Sequence, residues 1–208
     1  MSVLSNVLIR ERLRLHIEDD RSLIITPLLL LEKALDLDAI DLRLGCHFLL
    51  PKVPPAPALL PDASNRPSHL RAHVPYGKYL VVPAHQTVLG ATLEFIKLPC
   101  DVSGQVLTKS SVARTFTVVE TAPWIHPNYR GCLTLEIANV SNTPLLLYPG
   151  RLICQLILLN VEKASAPGKM SGTYLGPVYP EAPKFCDPEE DLAEIGIMDV
   201  DRPDFRRR

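Results

Sequence analysis

Short apolar runs recur about every ten residues through the second half of this chain, and this rhythm constrains the fold more than any other feature. Proline, glycine and asparagine separate the runs, as in Asn142-Thr143-Pro144 and Pro149-Gly150, which are typical turn sequences. Short strands joined by frequent turns predict an all-β sandwich or barrel. The runs occupy residues 79–82, 87–95, 102–106, 115–120, 133–138, 145–147 and 152–159.

The first fifty residues mix helix and strand signals. A partly apolar face predicts a helix over residues 4–20. Residues 22–27 predict a short strand that a proline ends, and residues 28–38 fit either a second short helix or an irregular apolar segment. Apolar and charged side chains alternate over residues 39–45, which predicts a half-buried strand that residues 46–50 extend.

The remaining segments define the domain organisation. Residues 51–75 are rich in proline, which leaves no room for a helix or a central strand and predicts a surface excursion. Periodicity is lost after residue 164, where glycines and prolines indicate an extended C-terminal arm. We therefore expect one domain over residues 1–180 and a charged, loosely held tail over residues 181–208.

Composition excludes several classes of function. A net charge of −1 over 208 residues offers no broad electrostatic surface for nucleic acid. No apolar run approaches the roughly 20 residues that span a bilayer, and no basic region leads into an apolar stretch at the N-terminus, so we expect neither a membrane segment nor a secretory signal. Five widely spaced cysteines predict reduced thiols in a cytoplasmic protein. Because no Cys-x-x-Cys occurs, no zinc site is expected.

A cluster of cations and hydroxyls is the first candidate for chemistry. The segment Lys109-Ser110-Ser111-Val112-Ala113-Arg114 gathers them within a single stretch. Positively charged N–H donors and O–H donors are what a polyphosphate chain requires. In the alternative interpretation the serines are turn residues and Arg114 is the structural partner of a buried acid.

Glu136 is the second candidate, because it stands inside the apolar run Cys-Leu-Thr-Leu-Glu-Ile-Ala. Burying a carboxylate is costly unless the group is hydrogen-bonded or functional. We interpret Glu136 as a functional acid, and the alternative is a structural acid paired with an arginine. On an earlier strand, Asp41 and Arg43 are expected to form a structural ion pair or subunit contacts.

Taken together, these pieces resemble the dCTP deaminase branch of the dUTPase superfamily, from about residue 20 to about residue 180. The resemblance implies a mainly β fold, a distorted dUTPase-like β-barrel with a short N-terminal helix and an extended C-terminal arm. It also implies a homotrimer with active sites at the subunit interfaces. The motifs that carry it, in chain order, are Asp41-Leu-Arg-Leu-Gly45, Ser110-Ser111-x-Ala113-Arg114, Ile125-x-Pro127-x-x-x-Gly131, Leu135-Glu136, Pro149-Gly150-x-Leu-Ile-x-Gln155-Leu and Gly172-x-Tyr174-x-Gly176.

The same resemblance implies hydrolytic, zinc-independent deamination of a cytosine nucleoside triphosphate, most simply dCTP to dUTP plus ammonia, with Mg²⁺ on the phosphates. Some members of the family go on to dUMP and diphosphate. Glu136 would be the general acid/base, with Ser110 and Arg114 completing the catalytic group. One buried glutamate can take and return both protons, because desolvation raises the pKa of a carboxyl group. The implied substrate-binding residues are Lys109, Ser110, Ser111, Arg114, Ala122, Gln155 and Tyr174.

Two departures from the family pattern leave the substrate open. His126 stands where the family has aspartate, and it would bond a sugar hydroxyl, accommodate a different sugar or base, or disable the site. Trp124 stands where the deaminases carry a basic residue, and it would stack on a base, close the pocket or anchor the core or an interface. The alternatives to a deaminase are a dUTPase-type nucleotide pyrophosphatase and a non-catalytic nucleotide-binding or interaction protein of the same fold.

Overall fold

The computed structural model describes residues 2–52, 68–120, 124–162, 176–184 and 193–196. Strands dominate these ranges, so the mainly β prediction is confirmed. The helices are α1 (Asn6–Arg14), α2 (Leu31–Ala34) and α3 (Ser110–Ala113). The strands are β1 (Ile24–Thr26), β2 (Leu35–Asp36), β3 (Ala39–Arg43), β4 (His47–Pro51), β5 (His69–His73), β6 (Leu80–Val82), β7 (Thr87–Lys97), β8 (Val102–Thr108), β9 (Thr117–Glu120), β10 (Arg130–Asn139), β11 (Leu145–Leu147) and β12 (Leu152–Asn160).

The largest sheet has six strands in the order β5-β4-β7-β10-β9, with β1 paired to the end of β7. Its centre is the long antiparallel pair of β7 and β10, which runs from Arg130 opposite Lys97 to Ala138 opposite Thr87. A bulge between Cys132 and Thr134 shifts the register of this pair. The sheet therefore carries the strand on which Glu136 lies.

Two further sheets complete the described part of the chain. A four-stranded sheet has the order β2-β3-β12-β8, and β6 pairs with β11 in a two-stranded sheet. Apolar side chains from the sheets meet in one core, as the alternation of buried and exposed positions along each strand requires. The strand pairing that the structure describes does not close into a single ring. The largest fully buried side chains include Phe48, Leu42, Leu44, Ile96, Leu135, Ile137, Leu156 and Leu158.

The N-terminal helix is shorter than the predicted residues 4–20, because α1 ends at Arg14. Polar side chains and turns replace helical hydrogen bonds after that point. The Asp19 N–H donates to the His16 carbonyl at 2.9 Å, and the Asp19 carboxylate accepts the Arg21 N–H at 2.8 Å. Such local side-chain acceptors compete with helix hydrogen bonds, so the chain turns instead of extending the helix.

The predicted extension of the third strand through residues 46–50 is wrong. β3 ends at Arg43 in the four-stranded sheet, and β4 begins at His47 in the six-stranded sheet. Gly45 lies at the crossing and donates its N–H to the Ala91 carbonyl at 2.8 Å. A Cβ at Gly45 would lie 3.0 Å from that same oxygen, so a glycine permits the close approach of the two backbones.

The excursion lies between β4 and β5 and is shorter than the predicted residues 51–75. β4 continues to Pro51 and β5 begins at His69, and β5 lies at the edge of its sheet, as the exclusion of a central strand predicted. Residues 53–67, 163–175, 185–192 and 197–208, which cover most of the excursion, the arm and the tail, lie outside the described residues. In the described ranges, no helix reaches the length and apolar content that crossing a bilayer requires.

Candidate active site

The predicted anion-binding segment forms the corner between β8 and β9. α3 is a single turn, in which the N–H groups of Val112 and Ala113 donate to the Lys109 carbonyl at 2.8 and 2.9 Å. Ser110, Ser111 and Arg114 are all exposed on this turn. Their side-chain donors have no partner among the described residues. These two hydroxyls and the guanidinium are therefore free to bind an anion.

Lys109 is engaged differently from its neighbours. Its ammonium forms an ion pair with Asp41, whose side chain is only 8% exposed. Gln155 lies directly opposite Asp41 on the neighbouring strand and donates to its other carboxylate oxygen at 3.0 Å. The expected pairing of Asp41 with Arg43 is wrong, because the Arg43 guanidinium donates to the Gly150 carbonyl at 2.8 Å.

This network includes two of the predicted substrate-binding residues. Lys109 and Gln155 were expected to meet phosphates directly, but in the described residues both are held by the Asp41 carboxylate. The Asp41 carboxylate on β3 accepts one hydrogen bond from Lys109, which precedes α3, and one from Gln155 on β12. It therefore connects β3 and β12 to the start of α3. Asp41 therefore fixes the position of the segment that presents the free hydroxyls.

Glu136 is exposed in the single chain, so the prediction that its carboxylate is buried is wrong for one subunit by itself. Its neighbours Leu135 and Ile137 are both fully buried, since alternate residues of β10 face the core. Glu136 therefore lies on the outer face of the sheet. Within one chain, Glu136 forms no ion pair with any of the described residues.

A second carboxylate lies opposite Glu136 on the adjacent strand β9. Glu120, the last residue of β9, is its direct cross-strand partner and is exposed as well. Two like charges opposite each other are unfavourable in a strand pair, so the arrangement costs stability. Sequence analysis could not identify Glu120, because nothing in the local pattern sets the register of β9 against β10.

α3 and Glu136 belong to neighbouring parts of one surface. α3 packs against β9, and β9 pairs with β10. In that register Thr117, at the α3 end of β9, lies three residues from Glu120, which is about 10 Å along a strand. β9 therefore connects the turn that carries the free donors to the strand that carries Glu136.

Trp124 and His126 flank a residue that is fixed to β8. Ile125 is buried and forms two backbone hydrogen bonds with Gly104, of 2.9 and 2.8 Å. Successive side chains of an extended segment point to opposite sides, so Trp124 and His126 face away from the core. Both are exposed, and Trp124 retains 36% of its accessible surface. A role as a core anchor is thereby excluded for Trp124.

Other sequence predictions do not contribute to this geometry. Ala122 and Tyr174, two predicted substrate-binding residues, lie outside the described residues. Cys46, Cys100, Cys132 and Cys154 are free thiols. Within the described ranges, no three His, Cys, Asp or Glu side chains are grouped to hold a metal ion.

Glu94 is a second buried acid besides Asp41 among the described residues, and the sequence analysis did not single it out. It lies on β7, is 2% exposed and accepts the Arg43 backbone N–H at 2.9 Å. Burial raises the pKa of Glu94 to about 7, and the hydrogen bond from Arg43 offsets only part of this rise. The environment expected around Glu136 thus surrounds a different glutamate.

Comparison with known proteins identifies the relatives of this fold and site. A dCTP deaminase-like family model matches residues 7–161. A protein of Methanobrevibacter smithii named dCTP deaminase, dUMP-forming, is 31% identical over 173 residues, which are 82% of this chain and 84% of the relative. A protein of the same name from Coprothermobacter proteolyticus is 33% identical over 185 residues, covering 88% of this chain and 96% of the relative.

A solved structure agrees at the level of the fold. The crystal structure of 2'-deoxycytidine 5'-triphosphate deaminase from Agrobacterium tumefaciens superposes with a TM-score of 0.56 and 20% identity. The match covers 75% of this chain and 47% of that chain, so the similarity spans about half of the larger protein. Together with the family model and the sequence relatives, these findings confirm the predicted resemblance: the chain belongs to the dCTP deaminase-like family.

Proposed function

We propose that the protein deaminates dCTP by hydrolysis and forms dUMP, ammonia and diphosphate. The free hydroxyls and guanidinium on α3, one strand away from the exposed Glu136, are the observation that carries this proposal. The product differs from the dUTP that the sequence analysis expected, because relatives with 31% and 33% identity are named as dUMP-forming.

In the deamination, water adds to C4 of the cytosine ring and the amino group leaves as ammonia. Glu136 would take one proton of the attacking water and give it to the ring nitrogen N3. It would then take the proton of the new hydroxyl group on C4 and give it to the amine, which leaves as ammonia while the C4 carbonyl forms. A second water would then release diphosphate and leave dUMP. The proposal assigns no zinc to either step, and fixed donors near the ring would stabilise the charge that develops.

Ser110, Ser111 and Arg114 would bind the triphosphate, since charge-assisted hydrogen bonds from a guanidinium suit phosphate oxygens. Mg²⁺ would be bound to the phosphates, because the segment from Lys109 to Arg114 contains no carboxylate that could hold it. Lys109 and Gln155 would act from their positions on Asp41, and Tyr174 would reach the phosphates from the arm.

Assembly would supply the enclosure that a single chain lacks. Glu136, Ser110 and Arg114 are exposed in one chain, and a reaction that moves protons benefits from exclusion of water. We propose a homotrimer in which a neighbouring subunit covers each site. Trp124 and His126, exposed on either side of Ile125, would then contact the base or the sugar and set the specificity.

One experiment tests the proposed function. The full chain is incubated with cytosine and uracil nucleotides plus magnesium, while ammonia, diphosphate and base absorbance are followed together. dCTP should release equal amounts of ammonia and diphosphate. Diphosphate from dUTP without ammonia from any cytosine nucleotide would identify a pyrophosphatase instead, and nucleotide binding with no product would identify a non-catalytic binding protein.

A further inference from the structure

A C-terminal segment, residues 176–184, lies along the strand that carries Glu136. The Gly176 N–H donates to the Arg130 carbonyl at 2.8 Å, and the Cys132 N–H donates to the Pro177 carbonyl at 2.6 Å. Further along, the Glu181 N–H donates to the Thr134 hydroxyl at 3.1 Å. We call this stretch the docked segment. Its hydrogen bonds end two residues before Glu136.

The strand is shaped to receive the docked segment. Gly131 has a φ of +145°, and a Cβ added there would lie 2.5 Å from the Pro177 side chain. Any other residue would clash with the proline and strain the backbone, so glycine is required for this contact. The docking is thus a built feature of β10 and not an incidental contact of the chain end.

Two histidines and a tyrosine meet at the docked segment. His47 on β4 and His73 on the edge strand β5 are direct cross-strand partners, with ring centroids 4.8 Å apart. Tyr179 of the docked segment packs edge-on against the His47 ring, at a centroid distance of 4.5 Å and an interplanar angle of 75°. We call these three residues the ring cluster. It is the aromatic contact that attaches the docked segment to the β4–β5 edge.

The ring cluster disfavours a proton on His47. Burial lowers the pKa of His47, and the neighbouring His73 lowers it further. Two imidazolium ions at this distance would repel each other, and Tyr179 covers part of the surface through which water would solvate the charge. A proton on His47 therefore binds more weakly when the docked segment is in place.

Three charged side chains near β4 have polar partners other than the ring cluster. The Glu94 carboxylate accepts the Arg43 N–H, and Lys97 donates to the Ile17 carbonyl at 3.0 Å. Glu181 pairs with Lys184 at 3.2 Å within the docked segment. The remaining charged or titratable side chains of the neighbouring edge strand are Arg71, which is exposed, and His69, which lies opposite Pro51 and has a buried Nδ1 without a hydrogen-bond partner among the described residues.

We propose that the ring cluster is a pH-sensitive latch, in which neutral His47, packed against Tyr179, holds the docked segment against β10 and protonation of His47 releases it. The coupling is reciprocal. Because docking of the segment weakens proton binding to His47, protonation of His47 must weaken docking of the segment on β10 to the same extent. Tyr174 precedes Gly176 by two residues. If Tyr174 contacts phosphates, which rests on the proposed function, release of the latch would also weaken substrate binding.

Hydrogen–deuterium exchange of the full chain tests the latch without reference to activity. Exchange is measured in peptides that contain Gly176 and Cys132 at about pH 7.5 and about pH 5.5, on either side of the ordinary imidazole pKa. Protection factors are corrected for intrinsic rates and referred to amides of β12. One proton taken up on release allows at most about a tenfold change per pH unit, and we expect protection to fall severalfold on acidification.

Variants separate the latch from a general effect of acid. His47→Phe keeps a ring beneath Tyr179 but cannot be protonated, so it should retain its protection at the lower pH; His47→Gln serves if the phenylalanine variant folds poorly. His69→Phe, on the same edge strand but opposite Pro51, should behave as the wild type. Equal losses of protection in wild type and His47→Phe, or no loss in the wild type, would overturn the proposal.

Discussion

Replacing Glu94 with glutamine should change how the stability of this protein depends on pH. Glu94 is 2% exposed, and its pKa is raised by burial from 4.5 to about 7. In the unfolded chain the same carboxyl group has its ordinary pKa. The folded state therefore binds the proton more tightly than the unfolded state does, and ionisation of Glu94 opposes folding.

The magnitude follows from the gap between these pKa values. Each tenfold change in proton affinity is worth about 1.4 kcal/mol, so the gap between 4.5 and about 7 corresponds to about 3 kcal/mol. Stability contributed by the protonated group is fully present below pH 4.5. It decreases as the pH rises, and the loss is complete once the pH passes about 7. Glutamine mimics the protonated carboxyl and removes this dependence.

Urea unfolding at fixed protein concentration provides the assay, because assembly would otherwise shift the apparent stability. The free energy of unfolding is measured between about pH 5 and about pH 8 for the wild type, Glu94→Gln and the exposed control Glu162→Gln. The difference between Glu94→Gln and wild type should grow by about 2–3 kcal/mol across this range. A constant difference would refute the reasoning, because any cost of the new amide is independent of pH.

Two substitutions test the anion-binding segment. Asp41→Asn removes the charge that holds Lys109 and Gln155, and we expect a loss of about 2 kcal/mol of stability by urea unfolding; unchanged stability would show that the pair contributes nothing. Arg114→Ala should raise the KM for a nucleoside triphosphate about tenfold more than the KM for the nucleoside, as one charge-assisted hydrogen bond to phosphate allows. Equal effects on both substrates would remove its phosphate role.

The positions of the strands could be predicted from the sequence, but which face of each strand is buried could not. Glu94 and Glu136 occupy similar apolar runs, Thr-Leu-Glu-Phe-Ile and Thr-Leu-Glu-Ile-Ala. On β7 the even-numbered residues, Glu94 among them, face the core. On β10 the odd-numbered residues face the core, and Glu136 does not. Periodicity detects the alternation, but only packing of the two sheets decides which set is buried. Glu136 was therefore assigned the environment that Glu94 has.

Long-range pairing limited the prediction of the site in the same way. The residue types at Lys109, Ser110 and Arg114 indicated an anion site, and the exposure of Ser110 and Arg114 agrees with that interpretation. The partner of Lys109 lies 68 positions away on β3, beyond the reach of any local pattern. Likewise, the docking of residues 176–184 on β10 depends on Gly131, and no local sequence pattern relates Gly131 to Pro177, 46 positions away.

The most direct test of the central claim is ammonia release from dCTP by wild type and Glu136→Gln, with binding of dCTP measured on the same samples. Loss of a general acid/base costs about a hundredfold to ten-thousandfold in rate. We predict a loss of this size in kcat with dCTP affinity preserved, because Glu136 lies on another strand than the donors of Ser110, Ser111 and Arg114, which we propose to bind the phosphates. Ammonia release by Glu136→Gln at the wild-type rate would contradict the account.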